Sequence, residues 1–234
     1  FTASPDALEH PQGFLSAVSP AGRIDVAMPV EAGTNWKLAR DKLSVKKYPL
    51  CFCTHRALDG LLDLIAAHPV AAENVSRVTV SISRNHATIL RNHLPQTGLE
   101  AKFSMEFAMA SVLVAKRAGL AELQDGFVRR PEIQALMPRV AIEIDEREDP
   151  AAPGKAIYDL VSVETTDGRR LESARVRQVR GGPEQPLTRD ELWTKFEGCL
   201  QVGQARGPAR KLFDALMSLD QLPHVSRLPG LGAV

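Results

Sequence analysis

The side chain in this sequence best placed to move a proton is His55. It follows Thr54, a residue type that caps helices, and leads into Leu58, Leu61, Leu62 and Ile65 at helical spacing. The spacing predicts a helix that Pro69 stops, with His55 in its first turn on the stripe of Leu58 and Leu62. At that end of a helix the macrodipole disfavours imidazolium. The ring is therefore expected to be neutral, the state a general base needs. Lys46, Lys47 and Arg56 lie beside it, would lower its pKa further and suit the binding of a carboxylate. The same residues also fit a packing or capping histidine beside a solvated basic strip, and spacing alone leaves both readings open.

Other candidates carry less. His86 and His93 lie in an Arg-Asn-His to Arg-Asn-His run, but Pro95 limits any shared helix and no third ligand stands at metal spacing. A loop or short helix near a site is expected there, without metal. Lys102 and Ser104 open a second helical stretch, Lys102 as a cation in or near the positively polarised first turn. Glu143, Asp145, Glu146, Glu148 and Asp149 lack the spacing of a calcium loop and read as the solvated face of an edge strand and its loop. Met105 and Met109 read as core filling. Cys51 and Cys53 form neither a redox pair nor half a zinc set, and with Cys199 they read as free thiols in a reducing compartment. Phosphate loops, dinucleotide fingerprints, zincin motifs and nucleophile elbows are all absent from the sequence.

The elements that must position these residues can be read along the chain. Pro5, Pro11, Gly13, Pro20, Gly22, Pro29 and Gly33 punctuate the first 45 residues, which read as connection with short helical pieces. Val78, Val80 and Ile82 alternate as a half-buried strand, and so do Val140, Ile142 and Ile144. Leu99 to about Arg117 reads as one long helix with Phe103, Phe107, Ala110 and Val114 on one face, ended by Gly119. Pro131 opens a short helix through Met137, and an acidic loop spans 145–154. Val161 and Val163 lie on a strand that turns at Asp167-Gly168 into another near 169–179. Gly181, Gly182, Pro183 and Pro186 read as a linker. Thr188 and Glu191 form a capping box for a helix striped by Leu192, Phe196 and Leu200; another helix covers roughly 208–219, and the final Gly-rich residues read as a frayed end. The order predicts an α+β unit followed by a helical tail.

Composition narrows the function classes. The 234 residues are 44% hydrophobic and 24% charged, which excludes disorder, collagen-like repeats and coiled coil. With 29 basic against 28 acidic residues, the chain lacks the basic excess of a dedicated nucleic-acid binder. No apolar run approaches the ~20 residues of a membrane helix. The chain opens at Phe1 without a basic-then-apolar leader, so no export signal and a cytoplasmic location are expected.

Five segments together carry a resemblance. They are KKYPLCFCTHRALDGLLDL, TGLEAKFSMEFAMASVLVAKRAGL, RRPEIQALMPRV, TTDGRRLES and PLTRDELWTKFEGC, in that order, with Phe1-Thr2-Ala3-Ser4-Pro5 at the start. Together they resemble the MmgE/PrpD family over nearly the whole chain. The Lys-Tyr-Pro to Thr-His block and the Ala-Lys-Phe-Ser block are the specific ones.

That resemblance implies cofactor-independent enzymes acting on small polycarboxylic acids, such as 2-methylcitrate dehydratase, cis-aconitate decarboxylase and iminodisuccinate epimerase. It implies a large helical domain, a smaller α/β lid, an active site in the cleft between them, and a homodimer. Residues 1–45 are then a connection from the helical domain, 46–182 the lid, and 183–234 a tail that returns to the helical domain. Most of that domain is expected upstream, which makes this chain the C-terminal half of a family member.

The expected function is a lyase, a dehydratase of a citrate-like acid, without cofactor or metal. His55 is the expected acid/base; Lys47, Arg56 and Lys102 are the expected carboxylate contacts, with Ser104 beside them. Neither nucleic acid nor membrane is an expected partner. Epimerisation or decarboxylation of a related acid remains an alternative. So does a catalytically incomplete lid or assembly module, which would expose an apolar face on helices 99–117 and 188–200.

Overall fold

The computed structural model describes residues 4–19, 27, 33, 36–204 and 207–229. The chain divides into two units, Phe1–Lys42 and Leu43–Val234, each described by itself. Among its described residues the first holds two short helices, α1 (Phe14–Val18) and α2 (Lys37–Asp41). Pro20, Gly22, Pro29 and the Gly-rich terminus past Pro229 lie outside the described residues. Among the described residues no helix is long and apolar enough to cross a membrane.

The second unit is built on strand β1 (Val75–Ile82), which follows helix α3 (His55–Ala67). After β1 the chain makes five helices: α4 (Arg84–Ile89), α5 (Gly98–Ala101), α6 (Met105–Ala115), α7 (Asp125–Val128) and α8 (Pro131–Leu136). It then returns as β2 (Val140–Ile144) parallel to β1, with Val78 opposite Val140 and Val80 opposite Ile142. A parallel partner requires such a long crossover, because a tight turn can only reverse the chain.

A small hairpin follows, β3 (Glu148–Asp149) with β4 (Ala152–Ala156). Strand β5 (Leu160–Thr165) then pairs antiparallel with the other side of β1, and β6 (Arg170–Glu172) closes the order β2-β1-β5-β6. Helices α9 (Arg189–Val202) and α10 (Ala209–Leu216) end the unit. The protein is thus α+β with a mixed sheet.

Alternation along β1 buries Val78, Val80 and Ile82 against a helical layer led by α3 and α6, and Val75 is buried as well, across a shift of register between Val75 and Arg77. Helix α6 is buried from Met105 through Leu113, which is why its side chains carry no polar stripe.

Several local expectations need correction. The stretch 99–117 is two helices, broken at Lys102–Ser104. Ser104 accepts a hydrogen bond from the Phe107 N–H at 3.1 Å and so starts α6 afresh. Lys116, at φ 58°, ends α6 in the left-handed position expected of Gly119. Residues 145–154 are not a plain loop but contain the β3–β4 hairpin, and Asp145 is buried, held by Arg147 at 2.8 Å. The strand after Gly168 is only three residues long.

The expected linker at 181–186 packs onto the domain. Gly181, at φ +88°, accepts a hydrogen bond from the Val45 N–H at 2.8 Å and donates one to the Gln185 carbonyl at 2.7 Å. Residues 183–234 fall in the same unit as 46–182, and the Thr188–Glu191 capping box forms as read.

Candidate functional site

The Lys46–His55 block runs into α3 through a 3-10 turn at Phe52–Thr54. Thr54 does not cap the helix with its side chain; its hydroxyl donates back to the Cys51 carbonyl at 2.8 Å. The block is anchored beneath by Tyr48, whose hydroxyl donates to Asp59 Oδ1 at 2.7 Å. The backbone N–H of Arg180 donates to the other oxygen of Asp59 at 2.9 Å, so one carboxylate on α3 ties the 180 segment to the block.

His55 has no exposed surface. The Tyr48 ring meets it edge-on at 5.2 Å, and the Phe52 ring lies at 5.1 Å. Its Nε2 sits 3.4 Å from the Leu50 carbonyl, an oxygen that can only accept, which assigns the proton to Nε2. Nδ1 is then a bare lone pair, buried and without a partner. Burial pushes the imidazole pKa down to about 4; the carbonyl opposes this and the Lys46 charge adds to it. The ring is neutral, as the sequence implied, but burial rather than the helix end is the main cause. An acid/base group must come within hydrogen-bond reach of its proton. In this conformation Phe52 and Tyr48 enclose the ring.

Phe52 also forms part of the wall of a cleft of about 250 Å³. Four groups of different origin meet there: Arg56 from α3, His86 from α4, Lys155 from β4, and Arg177 from the segment after β6. Glu184 is the acidic member of the lining. Ser83 places His86: its Oγ accepts from the His86 N–H at 3.3 Å and donates to the Gly154 carbonyl at 3.0 Å, which joins α4 to the β3–β4 hairpin. Burial lowers the His86 pKa, and the charges of Arg56 and Lys155 lower it further, so this ring is neutral as well. Arg56 donates from Nη1 to the Ala156 carbonyl at 2.8 Å and lies 3.6 Å from Asp159 Oδ1. Asp159 is almost fully buried, and burial pushes its carboxyl up to about 7 against the pull of Arg56. Three cations beside a neutral imidazole make a small pocket suited to a compact anion carrying more than one carboxylate.

Of the residues expected at a site, Arg56 lines the cleft and His55 lies one ring behind it. Lys47 turns elsewhere, onto Glu191 at 2.5 Å, where it completes the start of α9 and holds the Glu191 carboxyl down at about 2. Ser104 is buried as the cap of α6 and also reaches Glu106 at 3.3 Å. Lys102 is exposed on the turn between α5 and α6. His93 leaves His86 altogether and pairs with Glu106 at 2.7 Å. Cys53 is buried, and that burial pushes its thiol up to about 12, which leaves it inert.

A larger hollow of about 910 Å³ lies between the ends of α3 and α6 and helix α8. Its wall is largely apolar, with Ile65, Val70, Leu113 and Leu136, and its charged members Glu73, Lys116, Glu132, Arg139 and Arg169 include no histidine.

Sequence reasoning missed Lys155, Arg177 and Asp159. Single basic residues in loops carry no spacing signal. Asp159 looks like a turn residue ahead of an apolar strand, although Leu160, Val161 and Val163 carry it into the interior.

Among known families, the model of the MmgE/PrpD C-terminal domain matches residues 48–220. No curated protein matches the chain.

Proposed function

Because the chain belongs to the MmgE/PrpD family through that C-terminal domain, a family that includes dehydratases and other lyases, we propose that it serves a cofactor-independent lyase acting on a small polycarboxylic acid, by dehydration of a citrate-like substrate. The observation that carries this reading is the convergence of Arg56, Lys155 and Arg177 on one cleft beside the neutral imidazole of His86.

The chemistry is removal of a proton next to a carboxylate. It leaves an enolate-like dianion, which cationic groups must stabilise. In this proposal Arg56, Lys155 and Arg177 hold the carboxylates, and Lys102 reaches in from its exposed turn. His55 supplies the bare Nδ1 as proton acceptor once the Phe52 ring turns aside. Expulsion of a β-hydroxyl then completes dehydration. Return of the proton to the other face gives the epimerase alternative. In the decarboxylase alternative no proton is removed first, and the electron pair left by departing carbon dioxide is taken up by a proton delivered to the substrate. Lys47 and Ser104 support the site instead of touching substrate, through Glu191 and the start of α6.

Proton NMR in deuterated buffer tests this with 2-methylcitrate, citrate, cis-aconitate and an aspartate-derived diacid. Loss of an α-proton or a new alkene signal, abolished by Arg56→Met, is the expected result and names the reaction. Turnover within a few-fold of wild type in both Arg56→Met and His55→Gln would sink the assignment.

A second reading, an assembly module that forms a homodimer, rests on Leu94, Leu99 and Phe103, which are 56%, 71% and 41% exposed. Concentration-dependent association together with a silent substrate panel would favour it.

A further inference from the structure

Asp159 does something the proposed chemistry does not yet use. Buried acids elsewhere in the domain have donors: Asp59 has Tyr48 and Arg180, Asp145 has Arg147, and Glu122 has Arg117. Neither oxygen of Asp159 has a hydrogen-bond partner. Its backbone is fixed by two bonds with Val176, Asp159 N–H to carbonyl at 2.9 Å and the reverse at 3.0 Å, one residue before Arg177. It therefore sits directly behind the cleft, with Arg56 between it and any ligand; the Arg56 Nη1 gives one hydrogen to the Ala156 carbonyl and stands 3.6 Å from Asp159 Oδ1, an ion pair beyond hydrogen-bond distance. A buried carboxylate without a hydrogen bond is costly, so this position calls for an explanation.

The groups that bear on Asp159 make the argument specific. Arg56 from α3 favours its ionised form, and Asp145 after β2 opposes it. Cys53 from the 3-10 turn is a neutral thiol. On the far side of Arg56 lie His86 from α4, Lys155 from β4 and Arg177. Arg56 is thus shared between an internal carboxyl and whatever occupies the cleft. An anion that takes Arg56 also adds like charge in front of Asp159, which disfavours its ionised form.

Taking the cleft as the anion site proposed above, we propose that Asp159 is a positioning residue which holds the Arg56 guanidinium when the cleft is empty and takes up a proton when a polyanion binds. Binding is then coupled to uptake of up to one proton from solvent. Because burial already pushes this carboxyl up to about 7, the coupling falls near neutral pH. Between roughly pH 8 and pH 6, affinity for an anion of constant charge tightens by about tenfold.

The probe is inorganic sulfate, whose charge does not change over this range. Calorimetry of the full chain in two buffers of different ionisation enthalpy counts the protons taken up. Wild type and His86→Gln are expected to take up protons and bind more tightly as the pH falls, whereas Asp159→Asn binds with a flat profile. Carbon NMR of the wild-type Asp159 carboxyl, with and without sulfate, provides a check independent of any variant, and its titration is expected to move upward with sulfate. Proton uptake unchanged in Asp159→Asn, or a carboxyl titration insensitive to bound sulfate, would overturn the inference and leave the anion cleft standing. No binding of sulfate to wild type would overturn both.

Discussion

The backbone N–H of Cys51 donates to the carbonyl of Lys102 across 2.8 Å. That single bond joins the two segments on which the family resemblance chiefly rested. A second bond, from the Asn92 N–H to the Phe103 carbonyl at 3.2 Å, fastens the same turn from its other side. The turn is held by main chain, so the side chain at 102 is free to differ without loosening it, whereas the hydroxyl at 104 is not.

Two substitutions separate these roles. Lys102→Ala is expected to leave thermal stability within about 0.5 kcal/mol of wild type while weakening the binding of a tricarboxylate. Ser104→Ala removes the cap of a buried helix and is expected to cost about 1 kcal/mol, a fall in Tm of roughly 2–4 °C. Thermal denaturation and calorimetry read the two effects independently. Equal losses of stability in both variants would contradict the assignment.

His55 and Asp159 oppose each other in the pH dependence of folding. The imidazole, held at about 4 against an ordinary 6.5, cannot take the proton that the unfolded chain takes, so its stability is present above 6.5 and lost as the pH falls toward 4. The carboxyl, raised from 3.8 to about 7, behaves in the opposite sense: its stability is full below 3.8 and lost as the pH rises through 7. Over the shared window the two slopes offset. Urea titrations across that window are expected to show stability rising with pH in Asp159→Asn and falling with pH in His55→Gln. Parallel profiles in the two variants would count against both burial arguments.

Phe52 keeps water from His55 while forming part of the cleft wall. Phe52→Ala is expected to hydrate the ring and move its titration from about 4 back toward 6.5, visible in the imidazole proton resonances. It should also open the ring to acylation by diethyl pyrocarbonate. An unmoved titration would show that the ring is sealed by other groups and would remove Phe52 as the route from His55 to the cleft.

Gly181 is the hinge pin of the segment that carries Arg177 and Glu184. A Cβ there would stand 2.0 Å from the Val45 carbonyl oxygen, in a backbone at φ +88°. Gly181→Ala is expected to cost about 1–3 kcal/mol from the left-handed strain alone, with more from the displaced carbonyl. Sulfate affinity should fall with it, because Arg177 shifts. A variant with wild-type Tm and affinity would contradict the packing described.

Legibility followed the range of the interaction. The start of α9 was readable because Thr188 and Glu191 satisfy each other within one turn. The strands β1 and β2 were readable because alternation is local. The break between α5 and α6 was not, because it depends on Ser104 facing inward and on a carbonyl taken by Cys51, a partner far away in sequence. For His55 the helical position was legible, but the enclosure by Tyr48 and Phe52 was not, since a first-turn position does not say what packs over it. The cleft was the least legible of all. Arg56, His86, Lys155 and Arg177 meet only after β5 has paired with β1, and no spacing along the chain encodes that.

The two margins of the sheet bear on how copies of this chain can meet. At one margin β6 is three residues long, with Arg170 and Glu172 exposed. At the other, β2 is five residues long, presents Glu143 to solvent, and runs directly into the buried Asp145 held by Arg147. Short, charged and abruptly ended margins are poor templates for another strand. Fibre-like growth by strand addition is thereby discouraged, and in the assembly reading proposed above two copies would meet through side chains, Leu94, Leu99 and Phe103 being exposed apolar groups near one another in sequence.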